Sequence, residues 1–240
     1  MEEALAREVP RLIQEIRLRA GRRSLRARRG RFWVARILRE NVQTGGVPFV
    51  IPFRTRRPRR PDVLVLADVS WSVLRASATF LLLAQSFLRV GRRTSVHLFV
   101  DRCVEATRPL ARWRADLGPA SMARLLASVP GLDLGAPSDY GRAFYQAAHS
   151  RHAPVRARRR DTILVVLGDA RGNYRDPQAW AFEDLAARCR RVIWLNPEPA
   201  ERWDTGDSVL AEYLPSCDVV CEARDLAGLA RGVSELVKAL

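Results

Sequence analysis

Residues 61–73, Pro-Asp-Val-Leu-Val-Leu-Ala-Asp-Val-Ser-Trp-Ser-Val, decide what kind of fold this chain can have. Residues 63–67 are an unbroken apolar run of strand-forming types, which predicts a strand buried on both faces at the centre of a parallel sheet. The run ends in oxygen-bearing side chains at alternate positions, Asp68, Ser70 and Ser72. Because open α/β sheets bind ligands at the carboxyl ends of their strands, this triplet is a candidate site.

The triplet has two interpretations. One carboxylate and two hydroxyls are hard ligands that suit Mg²⁺ or Mn²⁺ rather than zinc. The alternative is a Ser-rich turn in which Ser72 caps the following helix. The triplet alone does not decide between a metal site and a turn.

Outside this stretch, apolar runs and helical periodicities alternate along the chain. Further strands are predicted at 95–100, 103–107, 162–167, 192–195 and 218–221. Helices are predicted at 72–90, 119–129, 139–150, 177–188 and 225–239. This alternation predicts one α/β domain over residues 61–240, a doubly wound, mostly parallel sheet in a Rossmann-like three-layer sandwich.

Residues 1–60 are predicted to form a basic, mainly helical arm. Apolar spacing predicts helices over 4–20 and 32–41, followed by an extended segment over 47–53. Sixteen arginines and two acids lie between positions 11 and 60, in a chain whose net charge is +15. Such an arm predicts an acidic protein surface or a nucleic acid as its partner. The arginines expected to contact it are Arg22, Arg23, Arg28, Arg29, Arg57, Arg59 and Arg60.

Composition argues against several other classes of protein. No apolar run approaches the roughly 18 residues that a membrane span needs, and the N-terminus lacks the basic start and apolar centre of a signal peptide. The four cysteines are scattered, with no histidine near Cys217 or Cys221, which argues against a zinc site. We therefore expect a reduced, cytoplasmic protein without a membrane span.

The motifs of common enzymes are missing. Residues 67–73 contain no glycine, which a dinucleotide site needs after its first strand. The chain has neither the Gly-Lys-Ser/Thr of a phosphate-binding loop nor a Gly-x-Ser-x-Gly elbow. A magnesium-dependent phosphatase would need an acid at Ser70, and His97 lies in the middle of a predicted strand, where a core role is more common than catalysis. These observations argue against those particular classes of enzyme.

Two later places add oxygen donors to the triplet. Ser138 and Asp139 lie in a loop before a predicted helix, and Asp169 follows the strand at 162–167. These places and the triplet fall at the same end of the predicted sheet, so their side chains can surround one ion. The predicted ligands are Asp68, Ser70, Ser72, Ser138 and Asp169. Octahedral Mg²⁺ would keep a position for a carboxylate from a partner.

The order Asp-x-Ser-x-Ser, then Ser138-Asp139, then Leu167-Gly168-Asp169-Ala170 resembles the metal-ion-dependent adhesion site of von Willebrand factor A domains, over about residues 61–240. The resemblance implies that the five donors bind Mg²⁺ or Mn²⁺. It also places Trp71, Asp139 and Arg142 around the ion without ligating it. Trp71 could line the rim and touch a partner, or could pack on a neighbouring loop.

Two segments narrow the resemblance to the CoxE-like branch of these domains. They are Gly-Gly-Val-Pro-Phe-Val-Ile-Pro-Phe-Arg-Thr-Arg-Arg-Pro-Arg-Arg-Pro at 45–61 and Gly-Asp-Ala-Arg-Gly-Asn-Tyr-Arg-Asp-Pro at 168–177. Proteins of that branch are encoded beside molybdenum-hydroxylase genes, such as those of carbon monoxide dehydrogenase, and work with MoxR-type AAA+ ATPases. The resemblance implies an adaptor in metalloenzyme maturation and not an enzyme, and the basic arm predicts that the client protein is acidic. The alternative is a nucleic-acid-binding protein in which the arm binds and the α/β domain is a scaffold.

The chain departs from the family pattern without losing an oxygen donor. Ser138 stands where threonine is usual, which keeps the hydroxyl on a less restrained side chain. Trp71 and Val73 stand where a small residue and methionine are common, and Ala170 replaces a frequent glycine. Metal ligation is expected to survive all four changes.

Overall fold

The structure is a computed structural model that describes residues 31–32, 53–54, 62–88, 93–113, 119–149 and 162–224, with a few helical positions between 228 and 234. Three predictions concern residues outside the described ranges: the helix at 4–20, most of the helix at 32–41, and the seven arginines of the arm that are expected to contact a partner. Most of the helix predicted at 225–239 also lies outside them.

A six-stranded sheet forms the centre of the molecule. Its strands are β3 (Asp62–Asp68), β4 (Thr94–Phe99), β5 (Cys103–Glu105), β6 (Thr162–Leu167), β7 (Arg191–Asn196) and β8 (Val219–Glu222). Their order is β5-β4-β3-β6-β7-β8, and every pair is parallel except β4 with β5. Strand β3, which contains the apolar run 63–67, therefore lies in the interior of a mostly parallel sheet, as predicted.

Helices cover both faces of this sheet. They are α1 (Leu74–Phe87), α2 (Thr107–Arg112), α3 (Pro119–Ala127), α4 (Tyr140–His149), α5 (Ala179–Ala186) and α6 (Leu210–Tyr213). Val63, Val65 and Ala67 pack in a cluster with residues of α1 and α3, whereas Leu64 and Leu66 pack with residues of α4 and α5. Because β3 is buried on both faces, its apolar run has no polar alternation.

Apart from shifts of a few residues at their ends and the unpredicted helix α6, two predicted elements differ in type from the structure at a described residue. Thr107 was predicted to end a strand, but it begins α2, and its hydroxyl accepts a hydrogen bond from the Val96 amide at 3.0 Å. Phe32 was predicted to begin a helix, but it lies in β1 (Arg31–Phe32), which pairs antiparallel with β2 (Phe53–Arg54). This pairing joins residues more than twenty positions apart, and local helical periodicity contains no information about it.

No helix in the described part of the chain is long and apolar enough to cross a membrane.

Candidate metal centre

Two carboxylates without solvent exposure meet at the carboxyl end of the sheet. Asp68 ends β3 and Asp169 follows β6, and since these strands are neighbours, the two side chains converge. The phenol of Tyr140, the first residue of α4, donates a hydrogen bond to Asp68 Oδ2 at 2.6 Å. The same Oη lies 3.3 Å from Asp169 Oδ1. One hydroxyl thus contacts both carboxylates.

The carboxylate oxygens of Asp68 and Asp169 differ in the backbone hydrogen bonds that they accept. The Ser70 amide donates to Asp68 Oδ1 at 2.8 Å, and the Arg171 amide donates to Asp169 Oδ1 at 2.9 Å. Asp169 Oδ2 is buried, and no hydrogen-bond donor in the described part of the chain satisfies it. A buried carboxylate oxygen without a partner is costly, and a cation would satisfy it.

Burial shapes the electrostatics of this pair. Burial, together with the neighbouring charge of Asp169, raises the pKa of Asp68 to about 7, against the hydrogen bonds from Tyr140 and Ser70, which lower it. Burial also raises the pKa of Asp169, while the nearby Ser72 hydroxyl favours its charged form. Two negative charges in a site of low dielectric repel each other, which favours the protonated form of a carboxyl group. A divalent cation would instead favour the charged form of both carboxylates.

The serines of the triplet lie beside the carboxylates. Ser70 is buried, and its hydroxyl lies 3.0 Å from that of Ser72. The residue that caps α1 is Val73, without a side-chain capping bond. The described residues therefore show no capping bond from Ser72, and residues 72–73 form a turn.

Ser138 approaches the same end of the sheet from a third loop. It is half-buried, and the amide of the next residue, Asp139, donates to the Val100 carbonyl at 2.9 Å just beyond β4. In the described residues, no hydrogen bond joins Ser138 to the other four predicted ligands. The structure thus brings Asp68, Ser70, Ser72 and Asp169 into contact and places Ser138 nearby, while their ligation of a metal stays a prediction.

The three residues predicted to surround the ion have separate surroundings. Asp139 Oδ1 accepts a hydrogen bond from the Arg142 amide at 2.8 Å and so caps α4. The Arg142 guanidinium donates to Asp101 Oδ2 at 3.0 Å and not to the central carboxylates. Trp71 is 74% exposed, which favours the rim over packing beneath a loop.

Tyr140 was missed by the sequence reasoning. It belongs to a buried aromatic cluster in which its ring stacks on Trp194, with centroids 6.1 Å apart. Trp194 Nε1 in turn donates to the Gly168 carbonyl at 2.8 Å. A Cβ at Gly168 would collide with the Tyr140 hydroxyl, so this glycine lets the phenol reach both carboxylates. Nothing in the local sequence shows that Tyr140 faces a carboxylate 72 residues away.

Arg171 was also missed, and it holds the loop that follows Asp169. Its guanidinium binds Glu198 Oε2 at 2.7 Å and Asp207 Oδ1 at 2.9 Å. Ala170, Asn173 and Tyr174 in this loop have positive φ, a conformation that costs energy for residues other than glycine and needs support from its surroundings. The loop presents Tyr174, which is 82% exposed, near the carboxyl end of the sheet.

The other titratable groups of the described residues do not assemble into a second metal site. In the described ranges, no three His, Cys, Asp or Glu residues cluster as a metal site would require. All four cysteines are free, and burial raises the pKa of Cys103, Cys189 and Cys217 to about 12. Burial lowers the pKa of His97 to about 4, consistent with the predicted core role.

Comparison with protein families identifies the family of this chain. Residues 4–229 match the family described as VWA domain containing CoxE-like protein. The chain belongs to this CoxE-like VWA family. The match confirms the predicted resemblance, and it begins within the basic arm rather than at residue 61.

Similar solved structures come from two other kinds of protein. Proximal thread matrix protein 1 from the mussel byssus is 16% identical, with a TM-score of 0.48 over 75% of this chain and 47% of that one. A form of it with a zinc-occupied MIDAS motif is 18% identical, with a TM-score of 0.43 over 75% of this chain and 46% of that one. The Ro (Rsr) protein of Deinococcus radiodurans is 14% identical, with a TM-score of 0.45 over 77% and 36%.

The CoxE-like chain thus spans less than half the length of these structures. A search of curated proteins found no match.

Proposed function

We propose that this CoxE-like protein is a metal-dependent protein-interaction adaptor and not an enzyme. The observation that carries the proposal is the convergence of Asp68 and Asp169, both fully buried, around a carboxylate oxygen without a hydrogen-bond donor. Such a pair is unfavourable alone and favourable around a divalent cation. The residues that would hold Mg²⁺ or Mn²⁺ are Asp68, Ser70, Ser72, Ser138 and Asp169.

The donor set fits a hard cation. Carboxylate and hydroxyl oxygens are the ligands that Mg²⁺ and Mn²⁺ prefer, and no thiol or imidazole of the described residues lies among them. Once bound, the ion would supply a coordination position for a carboxylate of the partner. The exposed side chains of Trp71 and Tyr174 would then lie beside that partner.

Membership of the CoxE-like family supports a MoxR-type AAA+ ATPase as the working partner and a metalloenzyme as the client. In this proposal the metal ion is ligated by an acidic side chain of a partner protein. The arginines of the arm bind an acidic surface of the client. The alternative, nucleic-acid binding by the arm, is supported by the excess of arginine alone.

Isothermal titration calorimetry tests the metal site. Mg²⁺ and Mn²⁺ are titrated into the metal-free wild type, into Asp68→Ala, and into Asp184→Ala, which removes an exposed acid on α5. We expect binding to the wild type and to Asp184→Ala, and loss of binding in Asp68→Ala. An ion that binds only the folded state raises the free energy of unfolding by about 2.7 kcal/mol at a hundredfold excess over its Kd.

The adaptor role is tested with a purified MoxR-type ATPase from the same genome. We expect the complex to form with Mg²⁺ and to dissociate in EDTA or in Asp68→Ala. Retention of the complex in both conditions would contradict a metal-dependent interface, even if calorimetry showed ion binding.

A further inference from the structure

A second surface with a distinct chemistry lies between α2 and α3. It is an open groove of about 660 Å³. Its apolar floor is formed by Pro109, Trp113 and Leu125, and its cationic wall by Arg108, Arg112 and Arg124. We call these six residues the arginine groove.

The arginine groove lies at the opposite end of the sheet from the metal site. Helix α1 starts after the carboxyl end of β3 and runs back along the sheet. Gln85, in the last turn of α1, therefore lies near the amino end of β3. The Gln85 side-chain amide donates to the carbonyls of Leu110 at 3.0 Å and Trp113 at 2.6 Å. These bonds fix the end of α2, and with it the groove, away from Asp68.

The floor of the groove is fixed before any ligand binds. Trp113 Nε1 donates to the Ser121 hydroxyl at 2.9 Å, which joins the residue after α2 to the first turn of α3. Leu125 is buried, and Trp113 is half-buried. A preorganised site loses less conformational entropy on binding than a surface that must first be ordered.

The charge of the groove is not neutralised by the described part of the chain. Arg108 and Arg112 are one helical turn apart and so share a side of α2, and all three arginines are exposed. Within the described ranges none of them forms an ion pair, whereas Arg171 and Arg142 contact acids at the other end of the sheet. A ligand that neutralises the groove must be anionic.

We propose that the arginine groove binds an acidic peptide segment of a protein partner, one whose carboxylates alternate with apolar side chains. The carboxylates would pair with the guanidinium groups, which match them in geometry, and the apolar side chains would cover the floor. Clusters of arginine recognise acidic motifs in this way. This proposal does not depend on the metal site, so the protein would contact partners at both ends of its sheet.

Two observations favour a peptide over a nucleic acid or a free phosphate. The groove is lined by one aromatic ring, that of Trp113, whereas single-stranded nucleic acids are bound on several aromatic side chains that stack successive bases. The three arginines are confined to one apolar groove, whereas a phosphate backbone is bound along an extended track of cations. The groove is also larger and more apolar than a single oxyanion requires.

Fluorescence anisotropy on the full chain tests the proposal. The probe is a fluorescein-labelled peptide of about ten alternating Glu and Leu residues, which is long enough to cross the groove. A Gln-Leu peptide controls for charge, and oligothymidylate of equal length and inorganic phosphate are competitors. The groove variant is R108Q/R112Q/R124Q. The matched control, R190Q/R202Q/R224Q, removes the same charge from exposed positions beside β7 and β8.

We expect the Glu-Leu peptide to bind the wild type and the control variant alike, and to bind the groove variant about tenfold more weakly or worse. Binding should persist in EDTA and in Asp68→Ala, and R108K/R112K/R124K should recover part of it by restoring charge without the planar fork. Equal thermal unfolding of both triple variants would show that the fold is intact.

Three results would overturn the proposal. The first is equal affinity in the groove and control variants, which would assign the peptide to the arm or to general charge. The second is tighter binding of oligothymidylate that is lost in the same groove variant, which would make the groove a nucleic-acid site. The third is complete displacement of the Glu-Leu peptide by inorganic phosphate at concentrations at which sodium chloride of equal ionic strength leaves the peptide bound.

Discussion

At the residue scale, the phenol of Tyr140 contacts both buried carboxylates, those of Asp68 and Asp169. Its hydrogen bond to Asp68 favours the charged carboxylate and so opposes the effect of burial. The pKa of Tyr140 itself is raised well above its usual value by burial and by the charges of Asp68 and Asp169. The phenol therefore keeps its proton and stays a donor.

Replacing Tyr140 with Phe tests this positioning role. The variant leaves Asp68 Oδ2 without its 2.6 Å donor, so we expect the metal-free protein to lose about 1–3 kcal/mol of unfolding free energy. The increment from added Mg²⁺ should remain, because no predicted ligand is removed. Urea unfolding in EDTA and in Mg²⁺ measures both quantities. Unchanged stability in EDTA would show that the phenol does not support Asp68.

The raised pKa of Asp68 predicts an unusual pH dependence. Between pH 3.8 and about 7 the folded chain holds more protons at Asp68 than the unfolded chain. The contribution of Asp68 to the unfolding free energy therefore falls as pH rises through this window. His97 acts oppositely, because its pKa falls from 6.5 to about 4 on folding, so its contribution is present above 6.5 and lost as pH falls.

Comparison with Asp68→Asn isolates the carboxylate from His97. In EDTA, we expect this variant to gain stability over the wild type as pH rises from about 4 to 7, by on the order of 2 kcal/mol. Mg²⁺ should remove the gain, since the ion favours the charged carboxylate of the wild type. Urea unfolding across this range is the measurement. A difference that is flat with pH would show that Asp68 titrates normally.

Ser138 offers a graded test of the third loop. Threonine keeps the hydroxyl and restrains its rotamer, so Ser138→Thr should bind Mg²⁺ as tightly as the wild type or more tightly. Ser138→Ala removes the oxygen and should weaken binding. Calorimetry measures both affinities. Equal affinity in Ser138→Ala and the wild type would remove Ser138 from the ligand set and leave the other four.

At the element scale, strand β6 and helix α4 meet closely enough to require glycine. A Cβ at Gly168 would collide with the Tyr140 hydroxyl and lie 3.0 Å from Asp68 Cβ. At Gly172, four residues later, the nearest atoms to a Cβ would be 3.9 and 4.0 Å away. The two glycines thus form a matched pair in the same loop region.

We expect Gly168→Ala to cost about 1–3 kcal/mol of stability by overpacking and to weaken Mg²⁺ binding, and Gly172→Ala to cost much less. Adding Tyr140→Phe to Gly168→Ala removes the colliding hydroxyl, so the double variant should lose less stability than the sum of the two single losses. Thermal unfolding and calorimetry test this set. Additive losses would mean that Gly168 is required for another reason.

At the scale of the whole molecule, the arm carries most of the net charge of +15 and the α/β domain carries the rest. Replacing Arg22, Arg23, Arg28, Arg29, Arg57, Arg59 and Arg60 with Ser should weaken the complex with an acidic client. Exposed substitutions usually change stability by less than about 0.5 kcal/mol each, so the α/β domain should still unfold cooperatively. Binding to duplex DNA at physiological salt, lost in this variant while client binding survives, would favour the nucleic-acid alternative.

The central parallel strands and the meeting of Asp68 with Asp169 could be predicted from the sequence alone. The apolar run at 63–67 and its equivalents at 162–167 and 192–195 predicted buried parallel strands, because only such strands lack polar alternation. Since parallel strands end at one end of a sheet, the positions of Asp68 and Asp169 after two of these runs also predicted that they would meet. The motif around them was specific enough to indicate the family.

The neighbours of those carboxylates, and the arginine groove at the other end of the sheet, follow only from the packing of distant segments. Tyr140 contacts Asp68 because α4 packs beside β6. Arg171 contacts Glu198 and Asp207 because β7 is the neighbour of β6. The arginine groove forms because Gln85 of α1 binds the end of α2. Each contact joins residues about 25 to 72 positions apart. Such pairings depend on how elements pack, and local periodicity carries no information about packing between distant segments.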